Sequence, residues 1–223
     1  MQDIGSILKD KKINAMPSQT TQEAREEVGQ GVDSPKVKKE QLVAILEALP
    51  PRYRNITPDY AMLERVKTKG ILLYGGVGTG KTHRMLQVIS AYLEEQYQKD
   101  VELFGVRKVS QEQVRRIFQS VPDVLRQIKN EFDNNEAPKI VERLMKTPIL
   151  FLDDLGAEKA SEWVKEQLYI VINERYNWNK PVMITSNLEL KEIAQHYGDR
   201  FASRLYEMCE VIKLSGSDRR AQR

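Results

Sequence analysis

Residues 71 to 82 read Ile71-Leu72-Leu73-Tyr74-Gly75-Gly76-Val77-Gly78-Thr79-Gly80-Lys81-Thr82, and this stretch decides the fold. Four apolar residues in a row are short for a helix but suit a strand buried on both faces, as in a parallel sheet. The next eight match G-x-x-x-x-G-K-[ST]. Glycines there let consecutive backbone N–H groups curl toward phosphate oxygens, and a helix starting at Lys81 adds the positive end of its dipole. Met85, Ile89, Tyr92 and Leu93 mark one face of that helix, which is predicted to run to about Tyr97. In such a loop the lysine reaches the β- and γ-phosphates of a nucleotide and the Thr82 hydroxyl coordinates Mg²⁺.

A phosphate-binding loop needs a second, acidic group at the carboxyl end of a neighbouring buried strand. Ile149-Leu150-Phe151-Leu152-Asp153-Asp154 supplies one. Adjacent carboxylates at the end of a buried strand repel and lose hydration, so they require a cation or a helix N-terminus nearby. Asp153 reads as the metal acid, acting through the water shell of Mg²⁺, and Asp154 as the group that polarises an attacking water. The plainer alternative is that the pair caps the turn at Leu155-Gly156. A third strand, Pro181 to Thr185, ends in Ser186-Asn187. Taken alone, Asn187 is a turn former; beside the other two motifs it reads as the amide that holds the attacking water against the γ-phosphate. Arg200 and Arg204 are four apart and share a helix face. They read either as a solvated face or as arginines that reach a γ-phosphate, with Arg204 donated by a neighbouring molecule.

Between these motifs, short apolar runs alternate with amphipathic ones, the pattern of a mostly parallel α/β sheet flanked by helices. Ile117-Phe118 is predicted as a short strand. The next helix has one stripe of Val121, Val124, Leu125, Ile128 and Phe132, expected in the core. A helix from about Ser161 to Arg175 turns Val164, Leu168, Val171 and Ile172 inward. Lys39 to Leu49 has helical spacing and stops at Pro50-Pro51.

The chain has 223 residues, 40% of them hydrophobic and 30% charged, which fits one domain with a short appendage and excludes a wholly disordered protein. Residues 14 to 38 are polar and broken by Pro17, Gly29, Gly31 and Pro35, which reads as linker. Ile4, Ile7 and Leu8 form a short apolar stripe ahead of it. Residues 1–35 are therefore expected to be a flexible partner-docking segment and residues 36–223 the folded domain. With one cysteine, Cys209, and two histidines, a His/Cys metal cluster is implausible, so a metal would be held by oxygens. No apolar run approaches the ~18 residues of a membrane span and no signal segment opens the chain, so a cytoplasmic protein is expected. The net charge of +3 permits a polyanionic partner without requiring one.

Tyr74 to His83, Phe151 to Lys159, Ile172 to Tyr176, Ile184 to Leu188 and Asp199 to Leu205, in that order, resemble the AAA+ ATPases of the DnaC, DnaI and IstB helicase-loader family. The resemblance covers about Leu49 to Arg220. It implies an AAA+ P-loop core that binds ATP and Mg²⁺ at subunit interfaces, assembles into a ring or spiral and binds single-stranded DNA. It also implies slow, switch-like ATP hydrolysis and the loading of a replicative hexameric helicase of DnaB type. By position, Gly75, Gly76, Val77, Gly78, Thr79, Gly80, Lys81, Thr82 and His83 would be Walker A, Asp153 and Asp154 Walker B, and Asn187 sensor 1. Arg204 would be the trans arginine finger, Arg200 its companion, and Arg220, favoured over Arg219, sensor 2. Arg126 and Lys129 would line the DNA path, and Ile4, Ile7 and Leu8 would contact the helicase. Three departures stand out: Walker B ends Asp-Asp where many relatives have Asp-Glu, DnaI-type zinc cysteines are lacking, and no helical lid is expected after sensor 2. The alternative within the family is an IstB-type helper of transposition acting on duplex DNA. A small-molecule P-loop kinase is the reading outside it, and the ordered sensor and finger residues argue against it.

Overall fold

A computed structural model describes residues 14–16, 45–104, 110–137, 139–159 and 161–216. Its centre is a parallel sheet of β1 (Asn14–Met16), β2 (Ile71–Tyr74), β3 (Phe118–Ser120), β4 (Leu150–Leu155), β5 (Val182–Ser186) and β6 (Glu210–Leu214), in the order β1-β6-β2-β5-β4-β3. The helices are α1 (Tyr60–Lys69), α2 (Lys81–Phe104), α3 (Gln111–Ile117), α4 (Val121–Asp133), α5 (Lys139–Lys146), α6 (Glu162–Asn177), α7 (Leu190–Tyr197) and α8 (Asp199–Met208). β1 lies inside the stretch read as linker and pairs with β6, Asn14 opposite Ile212.

The two faces of the sheet explain the unbroken apolar runs. Ile71 and Leu73 of β2 pack with Phe151, Met183 and Ile212 beneath α1, α2 and residues 45–49. Leu72, between them, points the other way and joins Leu150, Leu152, Val182 and Ile184 beneath α4 to α8. Successive side chains of a strand go to opposite faces, so a strand covered twice must be apolar at every position.

Several elements differ from the expectation. Ile117 closes α3, and the strand is Phe118–Ser120. The helix after the glycine loop continues to Phe104. α1, which the sequence reading did not anticipate, is capped by Asp59, whose side chain accepts from the Met62 N–H at 2.9 Å. The stripe on α4 is buried only as far as Ile128. Phe132, expected in the core, is 74% exposed: it lies in the last turn of the helix, one residue before its end at Asp133 and beyond the last buried position of the stripe.

Arg175 of α6 is 0% exposed. Its guanidinium donates to the carbonyls of Leu144 and Thr147, each at 2.8 Å, Pro148 at 3.1 Å and Pro181 at 2.7 Å. It thus joins the end of α5, the approach to β4 and the entry to β5, and burial lowers its pKa to about 10.

Candidate nucleotide-binding site

The carboxyl ends of β2, β4 and β5 open on one side of the sheet, where parallel α/β folds commonly bind ligands. A cleft of about 470 Å³ lies there. Val77, Gly78, Gly80, Lys81, Thr82 and His83 form one wall, and Asp154, Ala157 and Asn187 form the inner end. Gly75 starts the loop against β6: a Cβ there would fall 2.2 Å from the Leu214 carbonyl oxygen, a contact only glycine avoids.

The Lys81 ammonium is nearly buried and donates to Gly75 O at 2.9 Å, Gly76 O at 2.8 Å and Asn187 Oδ1 at 2.8 Å. The loop after β2 and the loop after β5 thus meet at one cation. Behind it, the Thr82 hydroxyl faces both oxygens of Asp153, at 3.1 and 3.0 Å. Asp153 is 4% exposed, and burial raises its pKa, opposed chiefly by the hydrogen bond from Thr185. That bond is 2.6 Å long, and the same Thr185 oxygen accepts from the Asp154 N–H at 3.0 Å.

Asp154 is turned toward the cleft by a bulge. Leu152 pairs with Ile184 and Leu155 with Ser186, so three steps along β4 match two along β5. Asp154 takes up the extra residue with φ of 58°, a left-handed conformation unusual for a side-chain-bearing residue. Ser186 fixes the next turn: its hydroxyl donates to Leu155 O at 2.7 Å and accepts from the Leu188 N–H at 3.0 Å. Gly156 sits under Leu188 with φ of 94°, and a Cβ would come 2.6 Å from Leu188 Cδ1. We expect Gly156→Ala to destabilise the fold by ~1–2 kcal/mol, a fall of about 2–8 °C in the thermal midpoint. An unchanged midpoint would show that the loop re-forms without this conformation.

Two sets of residues in or beside the cleft were not singled out from the sequence. Thr185 and Ser186 are fully buried hydroxyls at a strand end, and that placement beside Asn187 was the available signal. Arg52, Tyr53, Asn55 and Ile56 form the remaining wall. Pro50-Pro51 marked them only as the place where a helix stops, and here Pro51–Tyr53 is a 3-10 turn.

Arg200 and Arg204 lie on α8 and do not line this cleft. Arg204 donates to Asn173 Oδ1 at 2.8 Å and to Arg200 O at 3.1 Å, and it lies over the rings of Tyr169 and Tyr176, 4.9 and 5.5 Å from their centroids. Arg126 and Lys129 are exposed on α4, Arg126 paired with Asp123 at 2.8 Å. Ile4, Ile7, Leu8, Arg219 and Arg220 lie outside the described residues. Among the described residues no helix is long and apolar enough to cross a membrane, and no His/Cys/Asp/Glu cluster forms a metal site.

The model of the IstB-like ATP binding protein family matches residues 54–223. The replicative helicase loader DnaI of Bacillus subtilis (strain 168) is 25% identical over 170 residues, which are 70% of this chain and 49% of that protein. The phage-like element PBSX protein XkdC of the same bacterium is 28% identical over 161 residues, 70% of this chain and 53% of that one. The chain thus spans about half the length of these curated relatives. Among solved structures, the DnaC helicase loader superposes with a TM-score of 0.53 at 25% identity, covering 80% of this chain and 100% of that one. DnaI superposes with a TM-score of 0.51 at 22% identity, over 82% of this chain and 94% of its own.

Proposed function

Because the chain belongs to the IstB-like ATP binding protein family and has an AAA+ P-loop fold, we propose that it is an ATP-controlled loader of a DnaB-type hexameric helicase onto single-stranded DNA. The observation that carries the assembling half of this reading is the position of Arg204. It is held outside its own cleft on a half-exposed face of α8, where a neighbouring copy can receive it. The loader half is supported by the likeness to DnaC and to DnaI over the ATP-binding region.

In this reading the glycine loop wraps the phosphates, and Lys81 exchanges its three neutral acceptors for charged phosphate oxygens, which bind an ammonium more strongly. Asn187, already within 2.8 Å of Lys81, would orient the attacking water, and Asp154 would polarise it. Thr82 and Asp153 fit Mg²⁺, because they are a hard oxygen pair and a buried carboxylate favours a cation over solvent. Mg²⁺ held there would neutralise charge on the phosphate oxygens. Arg126 and Lys129 would contact the DNA backbone through charge, and Ile4, Ile7 and Leu8 would dock the helicase.

The test is light scattering on a sizing column, with the full chain mixed with the replicative helicase of its own host and single-stranded DNA. A complex is expected with ATP and Mg²⁺, and replacing Ile4, Ile7 and Leu8 by Asp is expected to abolish it. No complex under any nucleotide condition, together with a preference for duplex over single strands, would replace this reading with a transposition helper. The family model's IstB-like description favours that second reading.

A further inference from the structure

The residues that follow Asp154 form a bridge that the site's own chemistry does not require. Ala157 lines the cleft, and the next residue, Glu158, accepts a hydrogen bond from the Tyr197 hydroxyl, 39 positions away. The other carboxylate oxygen of Glu158, Oε2, is buried with no partner among the described residues. Burial first, and then Glu158, push the Tyr197 phenol well above its usual pKa, so it is a constant donor.

Tyr197 ends α7, which starts three residues after Asn187, and Gly198 alone separates it from α8. The Tyr197 ring lies 5.1 Å from that of Phe201, a buried residue of α8. One face of α8 is therefore attached through Tyr197 to the loop beyond Asp154, while Arg204 holds it to Asn173, Tyr169 and Tyr176 of α6. Around Glu158 the same loop is fastened to the Asn187 turn by the Ser186 bonds and by Leu188 lying on Gly156. A shift of Asp154, Ala157 or Asn187 within the cleft has a short, packed route to the helix that bears both arginines.

We propose that the Tyr197–Glu158 hydrogen bond is a positioning contact that couples the occupancy of a subunit's own nucleotide cleft to the placement of Arg200 and Arg204, the arginines it offers to a neighbour. This rests on the trans-arginine reading above. The test separates a subunit's cleft from the arginine it donates.

Full-length variants are assayed for DNA-stimulated ATP turnover, singly and in equimolar mixtures. Tyr197→Phe is expected to keep its thermal midpoint and its affinity for ATP but to lose ~10-fold in turnover, within the usual range of coupling effects. Glu158→Ala should match it, and Glu158→Gln, which keeps a carbonyl acceptor, should restore most of the loss. Mixed with Lys81→Ala, which has a disabled cleft but intact arginines, Tyr197→Phe should regain turnover. Mixed with Arg204→Ala, whose cleft is intact, it should not, because neither subunit presents a well-placed arginine.

Normal turnover in Tyr197→Phe overturns the proposal. Rescue by Arg204→Ala in place of Lys81→Ala also overturns it, since the defect then lies in the cleft. So does failure of both mixtures, which marks a merely structural lesion. The mixture of Lys81→Ala with Arg204→Ala is the control: without recovery there, the trans reading fails and the coupling fails with it. Recovery in the control alone removes only the Tyr197–Glu158 contact.

Discussion

Arg175→Ala is expected to lose ~3–5 kcal/mol of stability, enough to leave the chain largely unfolded at 37 °C if it began as a marginally stable domain. The guanidinium is fully buried and meets four carbonyls from three separate parts of the chain. Removing it leaves buried acceptors without their donor and opens a cavity beneath β4 and β5, and the two costs have the same sign. Arg175→Lys should recover only part of the loss, because one ammonium cannot span carbonyls arranged for a planar fork. Arg175→Met should be milder than Ala, since it refills most of the volume that Ala leaves empty. Urea unfolding checks all three, and a loss under ~1 kcal/mol in Arg175→Ala would show that the carbonyls find other partners.

Arg204→Ala is expected to lower ATP turnover by ~10³-fold while leaving ATP affinity in place, the usual effect of removing an arginine finger. The side chain does not line its own cleft, so nucleotide binding by an isolated subunit has no reason to change. Its contacts with Asn173, Tyr169 and Tyr176 are half-exposed, and the loss of fold stability should stay near 1 kcal/mol. If the sites are shared between subunits as proposed, turnover of the unaltered chain should fall faster than linearly on dilution. Full turnover by Arg204→Ala, or strict proportionality to concentration, would remove the trans assignment.

The stretch from Ile71 to Thr82 was legible because its information is local. A buried strand, a glycine turn and a helix start each leave a mark within a few residues, and the lysine and threonine have fixed places among them. The apolar runs at Leu150 and Val182 were legible for the same reason. Phe132 was misread because periodicity assigns a residue to a face of a helix but does not say how far along that face the burial extends. α1 and α5 were passed over because short helices of mixed composition have too few turns to show a period. Their apolar positions, such as Met62, Leu63 and Val66, matter only once α2 and the sheet are there to cover them.

By itself, then, the sequence determined the α/β class, the glycine loop with Lys81 and Thr82, and the acidic and amide ends of two buried strands. These follow from chain geometry over a few residues, where side-chain alternation and glycine's freedom act without reference to the rest of the molecule. Only the tertiary structure decided that Asn187 reaches Lys81 across 106 positions, that a bulge turns Asp154 into the cleft, and that Arg204 lies outside its lining. It alone made Arg175 the fastening of β4 and β5 and brought Tyr197 to Glu158. Each of these depends on strand order and register, which are set by how distant segments pack, and no local pattern records which distant residue a side chain will meet.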